Sequence, residues 1–362
     1  MTPIMSENAL VDLLVAGFPR SPLQVNRTHE SDAELVRLSV TGGPLLAMTV
    51  DSIEEEIEAG LYTDPYMIGW VACMASLSDL AATGATPLGL LISETLPPGF
   101  TGLPLGRLQE GIRNACREAH TFLLGGDTNS GRELHITGCA VGLVSGRPLR
   151  RVGISAGDIL YSTGPLGAGN AFALVRLLGN RDAAPPFHPV ARLEEGKMLS
   201  GFASACMDSS DGLFTTLREL MRLNGVGIRL DAGWESWLET PAAEVAAAHG
   251  LPPWCMFAGQ HGEYELIFAV PPDLTGRLRE LARVTGRPPV RLGTATAGPG
   301  LRVDIDGCPC ALDLEGILKT ADLARSDPGA CLRGLRAIHD RIMTESAQNH
   351  DRVRPPDRDI AV

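Results

Sequence analysis

Apolar positions along this chain fall into short blocks whose spacing switches repeatedly between helix-like and strand-like. ENALVDLLVAGF (residues 7–18) has helical spacing, and a polar connector follows it to about residue 30. ELVRLSV and PLLAMTV read as two strands joined by a turn at Thr41-Gly42-Gly43-Pro44. Tyr66 to Ala85 is spaced as a helix that stops at Gly84, with Pro87 soon after, and PLGLLISETL reads as a strand. A second amphipathic helix is predicted over Leu105 to His120, then a strand in ELHITGCAVGLVSG. Strands and helices mix here without strict alternation, so residues 30–148 are expected to form an α+β domain.

The pattern restarts near Arg150. AGDILYSTG reads as a strand, GPLGAGNAFALVRLLG as a glycine-rich turn opening a helix, and NRDAAPPFHPVA as a Pro-rich surface connection. CMDSSDGLFTTLRELMRLNGVGIRLDA then reads loop, helix, strand, with further strands in GEYELIFAVPP and PPVRLGTATAG. The expected organisation is an N-terminal extension (1–29), a first domain (30–148), a second domain (149–312), and a helical segment with a charged tail (313–362). The end of that tail reads as disordered.

Composition narrows the function classes. A chain of 362 residues, 44% hydrophobic and 20% charged, is globular and long enough for two domains. Its formal net charge of -12 argues against nucleic acid as a partner, since phosphate contacts need concentrated Lys and Arg. The apolar stretch from Val71 to Ile92 is interrupted by Asp79 and several Ser, Thr and Gly residues, so it reads as a buried helix and strand rather than a membrane span. No signal peptide is evident and a cytoplasmic location is expected. The eight cysteines lack paired metal-type spacing, apart from a lone Cys308-x-Cys310. They read as buried, reduced thiols.

Carboxylates in settings of small residues carry the chemistry. Asp32, Asp51, Asp79, Asp127, Asp208 and Asp211 lie in ESDAELV, MTVDS, ASLSDLAATGATP, LLGGDTNSG and MDSSDGL. Taken singly, an aspartate is most simply a cap or a solvated turn residue. As a set they point to hard cations, because carboxylates brought together repel one another and Mg²⁺ both offsets that charge and handles phosphates. Asp79 is the least easily explained as surface, being placed mid-helix in an apolar run. GGDTNSG reads as a glycine-rich turn able to approach phosphate oxygens, and MDSSDGL sets Asp208, Ser210 and Asp211 around a helix start. Arg151 could supply a guanidinium to phosphate. There is no Walker A sequence, no histidine pair with metal spacing and no Ser-His-Asp ordering.

In order and approximate spacing, LSDLAATGATP, GGDT, RRVGISAGDILYSTGPLG and MDSSDGL resemble the thiamine-monophosphate kinase branch of the AIR-synthase-like (PurM-like) ATP-binding superfamily. The resemblance runs from about Asp32 to Asp313. It implies a two-domain α+β fold whose N-terminal domain pairs with a second copy to build a β-barrel, so a homodimer. It also implies ATP in a cleft lined by both domains. By motif position, Asp32, Thr49, Asp51, Asp79, Asp127, Asp208 and Asp211 are implied Mg²⁺ ligands, with Asp79 and Asp211 central to catalysis. Gly126, Asp127, Arg151 and Ser210 are the implied nucleotide contacts.

The departures fall on the first carboxylate motif and on the acceptor side. The family's Gly-Asp-Asp-Ala-Ala becomes Glu30-Ser31-Asp32-Ala33-Glu34 here. A substrate-contacting histidine is replaced by Glu58, and Gly-Glu-Asp-Tyr-Glu-Leu becomes His261-Gly262-Glu263-Tyr264-Glu265-Leu266. The substrate glutamate thus aligns with Gly262 unless Glu263 takes its place, and the family's C-terminal aromatic has no clear counterpart near LDLEGILKT. Glu58 would repel a phosphate. The expected function is therefore ATP- and Mg²⁺-dependent phosphoryl transfer to a small metabolite other than thiamine monophosphate. Two alternatives remain open: an ATP-dependent cyclase or ligase of the AIR synthase type, and an inactive nucleotide-binding regulator.

Overall fold

The computed structural model describes residues 7–39, 43–180, 183–305 and 308–353. After helix α1 (Glu7–Val15), strands β1 (Glu34–Arg37), β2 (Leu45–Ser52), β3 (Thr86–Leu96), β4 (Leu123–Ser130) and β5 (His135–Val144) form a five-stranded sheet in the order β1-β2-β5-β3-β4. Helices α2 (Glu54–Glu58), α3 (Pro65–Thr83) and α4 (Leu103–Glu118) connect these strands. Thr41 and Gly42 of the Thr41–Pro44 turn lie outside the described residues.

The centre of the molecule is α3. Asp64 caps its start by accepting the Tyr66 N–H at 3.1 Å, Pro65 opens its first turn, and Gly84 ends it in the left-handed conformation with φ 74°. Almost every residue from Ile68 to Thr83 is buried. A helix apolar all round needs neighbours on every side. These are β2 and β5 on the sheet, α4 beside it, and α6 and β7 of the second half. Contact with α4 is close enough that a Cβ on Gly69 would lie 2.3 Å from the Leu108 carbonyl oxygen.

The second half contains β6 (Ile159–Ser162), α5 (Ala168–Leu177), α6 (Leu193–Leu199), β7 (Ala205–Asp208), α7 (Leu213–Asn224), β8 (Gly227–Leu230) and α8 (Thr240–Ala248). It continues with β9 (Leu266–Val270), α9 (Leu278–Thr285), β10 (Val290–Thr296), β11 (Leu301–Ile305) and β12 (Cys308–Leu312). Its seven strands run β12-β11-β8-β10-β6-β9-β7, and β9 is buried along its whole length. The fold is α+β, with sheet and helices in both halves.

Three local expectations differ from the structure. GGDTNSG is not a turn but the body of strand β4, paired in parallel with β3 so that Asp127 faces Ser93 in the register. The helical crossover α4 carries the chain back alongside β3, and ladder pairing overrides the local preference of glycine for turns. The NRDAAPPFHPVA connection is not simply surface, because Phe187 is buried and the Trp70 Nε1–H donates to the Pro189 carbonyl at 2.7 Å. Finally, α10 (Leu314–Ala321) and α11 (Pro328–Val353) place Ile317, Leu318, Cys331, Leu335, Ile338 and Ile342 in the second half's core. The sequence TESAQNHDRV thus continues a helix, and only residues 354–362 of the tail lie outside the described residues.

Candidate active site

Alternation along β2 aims Thr49 and Asp51 to one side of the sheet and Val50 to the other, where Val50 is 65% exposed. The inward side meets the C-terminal half of α3. There Thr49 Oγ1–H donates to Asp79 Oδ2 at 2.5 Å. One residue earlier on the helix, Ser78 Oγ–H donates to Asp208 Oδ2 at 2.7 Å, joining the N-terminal half to the end of β7. Ser210 Oγ–H holds the other Asp208 oxygen at 3.1 Å. Asp32 enters from the loop before β1, and Arg151 Nη2 donates to its Oδ1 at 2.9 Å.

Asp32, Asp79 and Asp208 therefore converge, each offering a carboxylate oxygen within 4.8 Å of the others. Asp51 and Asp211 flank the group closely enough that their charges act on it. Without a counter-charge this arrangement is unfavourable, and the titration behaviour records that. Burial, reinforced by the charges of Asp211 and Asp32, pushes Asp51 up to about 6. Burial, with Asp32 again adding repulsion, pushes Asp208 up to about 7. Burial and the neighbouring Asp51, Asp208 and Asp32 drive Asp79 well above the usual carboxylate range.

Two carboxylate oxygens here, Asp32 Oδ2 and Asp51 Oδ2, are buried without a hydrogen-bond partner, as is Ser209 Oγ. Buried acceptors of this kind are costly unless something satisfies them. The donor set is all oxygen, carboxylate and hydroxyl, which suits a hard divalent cation such as Mg²⁺. One cation, the Arg151 guanidinium, borders the group. Burial works against its charge, but Asp32, Asp79 and Asp208 overcome that and raise its pKa.

Of the residues singled out from sequence, Asp32, Thr49, Asp51, Asp79, Arg151, Asp208, Ser210 and Asp211 are brought together. Gly126 and Asp127 are not. Both are exposed on β4, where Asp127 accepts a hydrogen bond from Asn129 Nδ2 at 2.6 Å. Strands β5 and β3 separate them from Asp51, a gap of about 14 Å at ordinary strand spacing.

The acceptor residues also depart from expectation. Glu58 is exposed on α2, whereas Glu55 of that helix pairs with Arg325 at 2.7 Å and Glu56 feels the charges of both Arg325 and Asp211. Glu263 is turned inward and accepts the Gly167 N–H at 2.5 Å. It is 5% exposed, and burial pushes it up to about 8. Gly262 has no room for a side chain, since a Cβ there would lie 1.4 Å from the Ser209 carbonyl oxygen. Sequence reasoning missed Ser78 and Glu56. Ser78 lies one residue before Asp79 in the quoted motif, but its partner is 130 residues away.

Comparison with known proteins identifies the family. Residues 30–144 match the family described as AIR synthase related protein, N-terminal domain, and residues 155–306 match the corresponding C-terminal domain. The thiamine-monophosphate kinase of Halobacterium salinarum is 31% identical over 261 residues, covering 72% of this chain and 88% of that protein. The Salmonella typhimurium enzyme of the same name is also 31% identical, covering 70% and 80%. Among solved structures, "AaThiL complexed with AMPPCP and TMP" is similar with a TM-score of 0.69 and 25% identity, covering 83% of this chain and 94% of that one. The HypE-HypF complex contains a chain with the same TM-score at 17% identity, a likeness of fold alone.

The chain belongs to the AIR synthase related family. Within it, this is a thiamine-monophosphate kinase-like member, an enzyme that uses ATP as a kinase does. No helix among the described residues is long and apolar enough to cross a membrane.

Proposed function

We propose that the protein transfers the γ-phosphoryl group of ATP to a small metabolite other than thiamine monophosphate, with Mg²⁺ held by the carboxylate cluster. The observation that carries this reading is the convergence of Asp32, Asp79 and Asp208, with buried carboxylate oxygens left unpartnered. Asp32, Thr49, Asp51, Asp79, Asp208 and Asp211 are the residues fitted to hold the metal. When bound, Mg²⁺ supplies the positive charge that offsets phosphate oxygens during transfer.

The chain's own side chains do the rest. Asp79 is fixed on a buried helix and by Thr49, so its carboxylate cannot swing away. Arg151 and Ser210 border the cluster where nucleotide phosphates would lie. The acceptor oxygen bonds to the γ-phosphorus while the bond to the β–γ bridging oxygen breaks, and ADP leaves with that electron pair. The acceptor proton passes to the carboxylate of Asp211, the exposed acid of the group.

A second copy of the chain completes this picture. Val50, Leu91, Phe122, Leu123 and Leu124 are exposed on the first sheet and its edge, an apolar surface of the kind that a partner covers. Pairing of two such sheets would bury β4 and bring Gly126 and Asp127 out of bulk solvent, toward a nucleotide site.

The exclusion of thiamine monophosphate rests on the acceptor side, where Glu58 replaces a histidine, Gly262 cannot be a glutamate, and Glu263 faces inward. The test is an ATP-consumption screen of phosphorylatable metabolites with thiamine monophosphate as control, followed by product analysis. Efficient turnover of thiamine monophosphate would overturn the substrate assignment. Free phosphate with a cyclised product would replace the kinase reading with that of a cyclase.

A further inference from the structure

We infer that the Tyr264 hydroxyl donates a hydrogen bond to the terminal phosphoryl group of the nucleotide, at the end of the cluster where that group meets the acceptor. This deepens the phosphotransferase reading and rests on it. The segment that carries Tyr264 is laced onto the loop between Asp208 and Asp211. The Ser209 N–H donates to the Glu265 carbonyl and the Gly262 N–H to the Ser210 carbonyl, each at 2.8 Å. Tyr264 lies between those two bonds.

Its backbone sits in the left-handed region, with φ 60°. That conformation is unfavourable for a bulky aromatic residue and persists only where the surroundings impose it. Here the flanking side chains do so. Glu263 accepts the Gly167 N–H, and Glu265 is gripped by Arg192 at 2.6 Å and by Arg287 at 2.8 Å. Tyr264 instead joins the core built around α3 and is 8% exposed. Its hydroxyl makes no hydrogen bond among the described residues, yet it still meets solvent, unlike the unpartnered Ser209 Oγ. A tyrosine this deeply set normally has a partner for its hydroxyl. Burial first, and then the charges of Tyr62, Glu56, Asp208 and Asp51, hold the phenol well above its ordinary pKa, so it keeps its proton and remains a donor.

Charge distinguishes the two flanks of the cluster. Asp32, Asp79 and Asp208 act on Arg151, whereas Glu56, Asp208 and Asp51 act on Tyr264. Asp208 is common to both, so Arg151 approaches with Asp32 and Tyr264 approaches with Asp51 and α2. Phosphoryl oxygens accept hydrogen bonds, and ionised carboxylates have none to donate. Arg151 is the donor on the Asp32 flank, and Tyr264 is the donor on the Asp51 flank. A phenol suits that position because it is neutral. A lysine or arginine there would be drawn into ion pairs with Asp51 and Glu56 and would compete with the metal for them.

The test is calorimetric binding of Mg²⁺-AMPPNP and of Mg²⁺-ADP to the full chain and to Tyr264→Phe, with thermal melts of both proteins. The substitution removes the hydroxyl and keeps the ring that fills the core. Tyr264→Phe should melt with the native protein and bind Mg²⁺-ADP equally well, but bind Mg²⁺-AMPPNP about tenfold more weakly. Comparing two nucleotides on one sample keeps the result readable even if the melt shifts. An equal loss for both nucleotides would make Tyr264 a structural residue and overturn the inference. Unchanged affinity for Mg²⁺-AMPPNP would overturn it too, because the hydroxyl would then not touch the terminal phosphoryl group. A native chain that binds neither nucleotide strikes the phosphotransferase reading instead.

Discussion

The carboxylate cluster and an apolar cleft lined in part by Leu61, Leu174, Leu177, Met256, Leu332 and Leu335 share a pair of touching segments, residues 209–212 and 259–262, yet different physics shapes them. The cluster is a charge problem. Its members repel one another, two carboxylate oxygens are unpartnered, and hydrogen bonds from Thr49, Ser78 and Ser210 hold the rest in place. The cleft is a shape problem, made largely of aliphatic side chains whose identity matters through volume, with Asn170 and His261 already hydrogen-bonded. A charge site tolerates almost no change in residue type, whereas an apolar wall can be recontoured one methylene at a time. On this account a family can hold its nucleotide chemistry fixed while its acceptor changes.

Asp79→Asn is the change with the largest expected effect. ATP turnover should fall by about a thousandfold or more, equivalent to ~4 kcal/mol of transition-state stabilisation. The fold should survive. Measured without Mg²⁺, the variant should melt above the native protein, because one member of a self-repelling group is gone. Normal turnover in a well-folded variant would break the charge half of the comparison.

Next is Arg151→Ala, which leaves Asp32 without its guanidinium. Breaking such a buried pair costs about 3 kcal/mol, so the metal-free variant should melt well below the native protein. Added Mg²⁺ should recover part of that loss, as judged by thermal melts with and without the ion.

Glu263→Gln sharpens the distinction between a structural and a substrate-contacting acid. Its pKa is raised to about 8 in the folded chain, so the stability it contributes is fully present below the unfolded value near 4.5 and is lost as pH rises through 8. Melts across that window, with Mg²⁺ saturating, should fall for the native protein and stay flatter for the variant. Above pH 8 the variant should be the more stable of the two. A fall in acceptor turnover with an unchanged stability profile would return Glu263 to the substrate site.

The smallest effect belongs to Glu58→His. The side chain is exposed, so stability should change by about 0.5 kcal/mol or less. The change should not by itself create turnover of thiamine monophosphate, since Gly262 still has no room for a side chain. Activity gained in this variant would show that one surface residue selects the acceptor.

The charge half was largely legible in the sequence, because it depends on residue types in recognisable settings. Asp79 in an apolar run, Asp208 and Asp211 around a helix start, and Thr49 two residues before Asp51 on a strand all mark it. What stayed hidden depends on pairing across distance. Gly125, Gly126 and Asp127 read locally as a turn, but pairing with β3 makes them a strand, and Asp127 lands away from the cluster. Glu263 read as a candidate substrate contact because nothing nearby in sequence signals the Gly167 N–H that holds it. The C-terminal segment read as a helix and loose tail, although Leu335, Ile338 and Ile342 carry it into the second core. The cleft has no motif at all, since its wall gathers residues from Ala59 to Leu335.

The central claim is that the converging aspartates hold Mg²⁺ for ATP, and proton release measures it most directly. Metal ligation requires carboxylates without their protons. In the metal-free chain Asp51 is raised to about 6 and Asp208 to about 7, both by burial and then by neighbouring charge, so near pH 6.5 the cluster carries protons that Mg²⁺ must displace. Calorimetric titration of Mg²⁺-AMPPNP in buffers of different ionisation enthalpy should show net proton release at that pH, and less of it at pH 8. Binding with no proton release at pH 6.5, or nucleotide binding indifferent to Mg²⁺, would contradict the account.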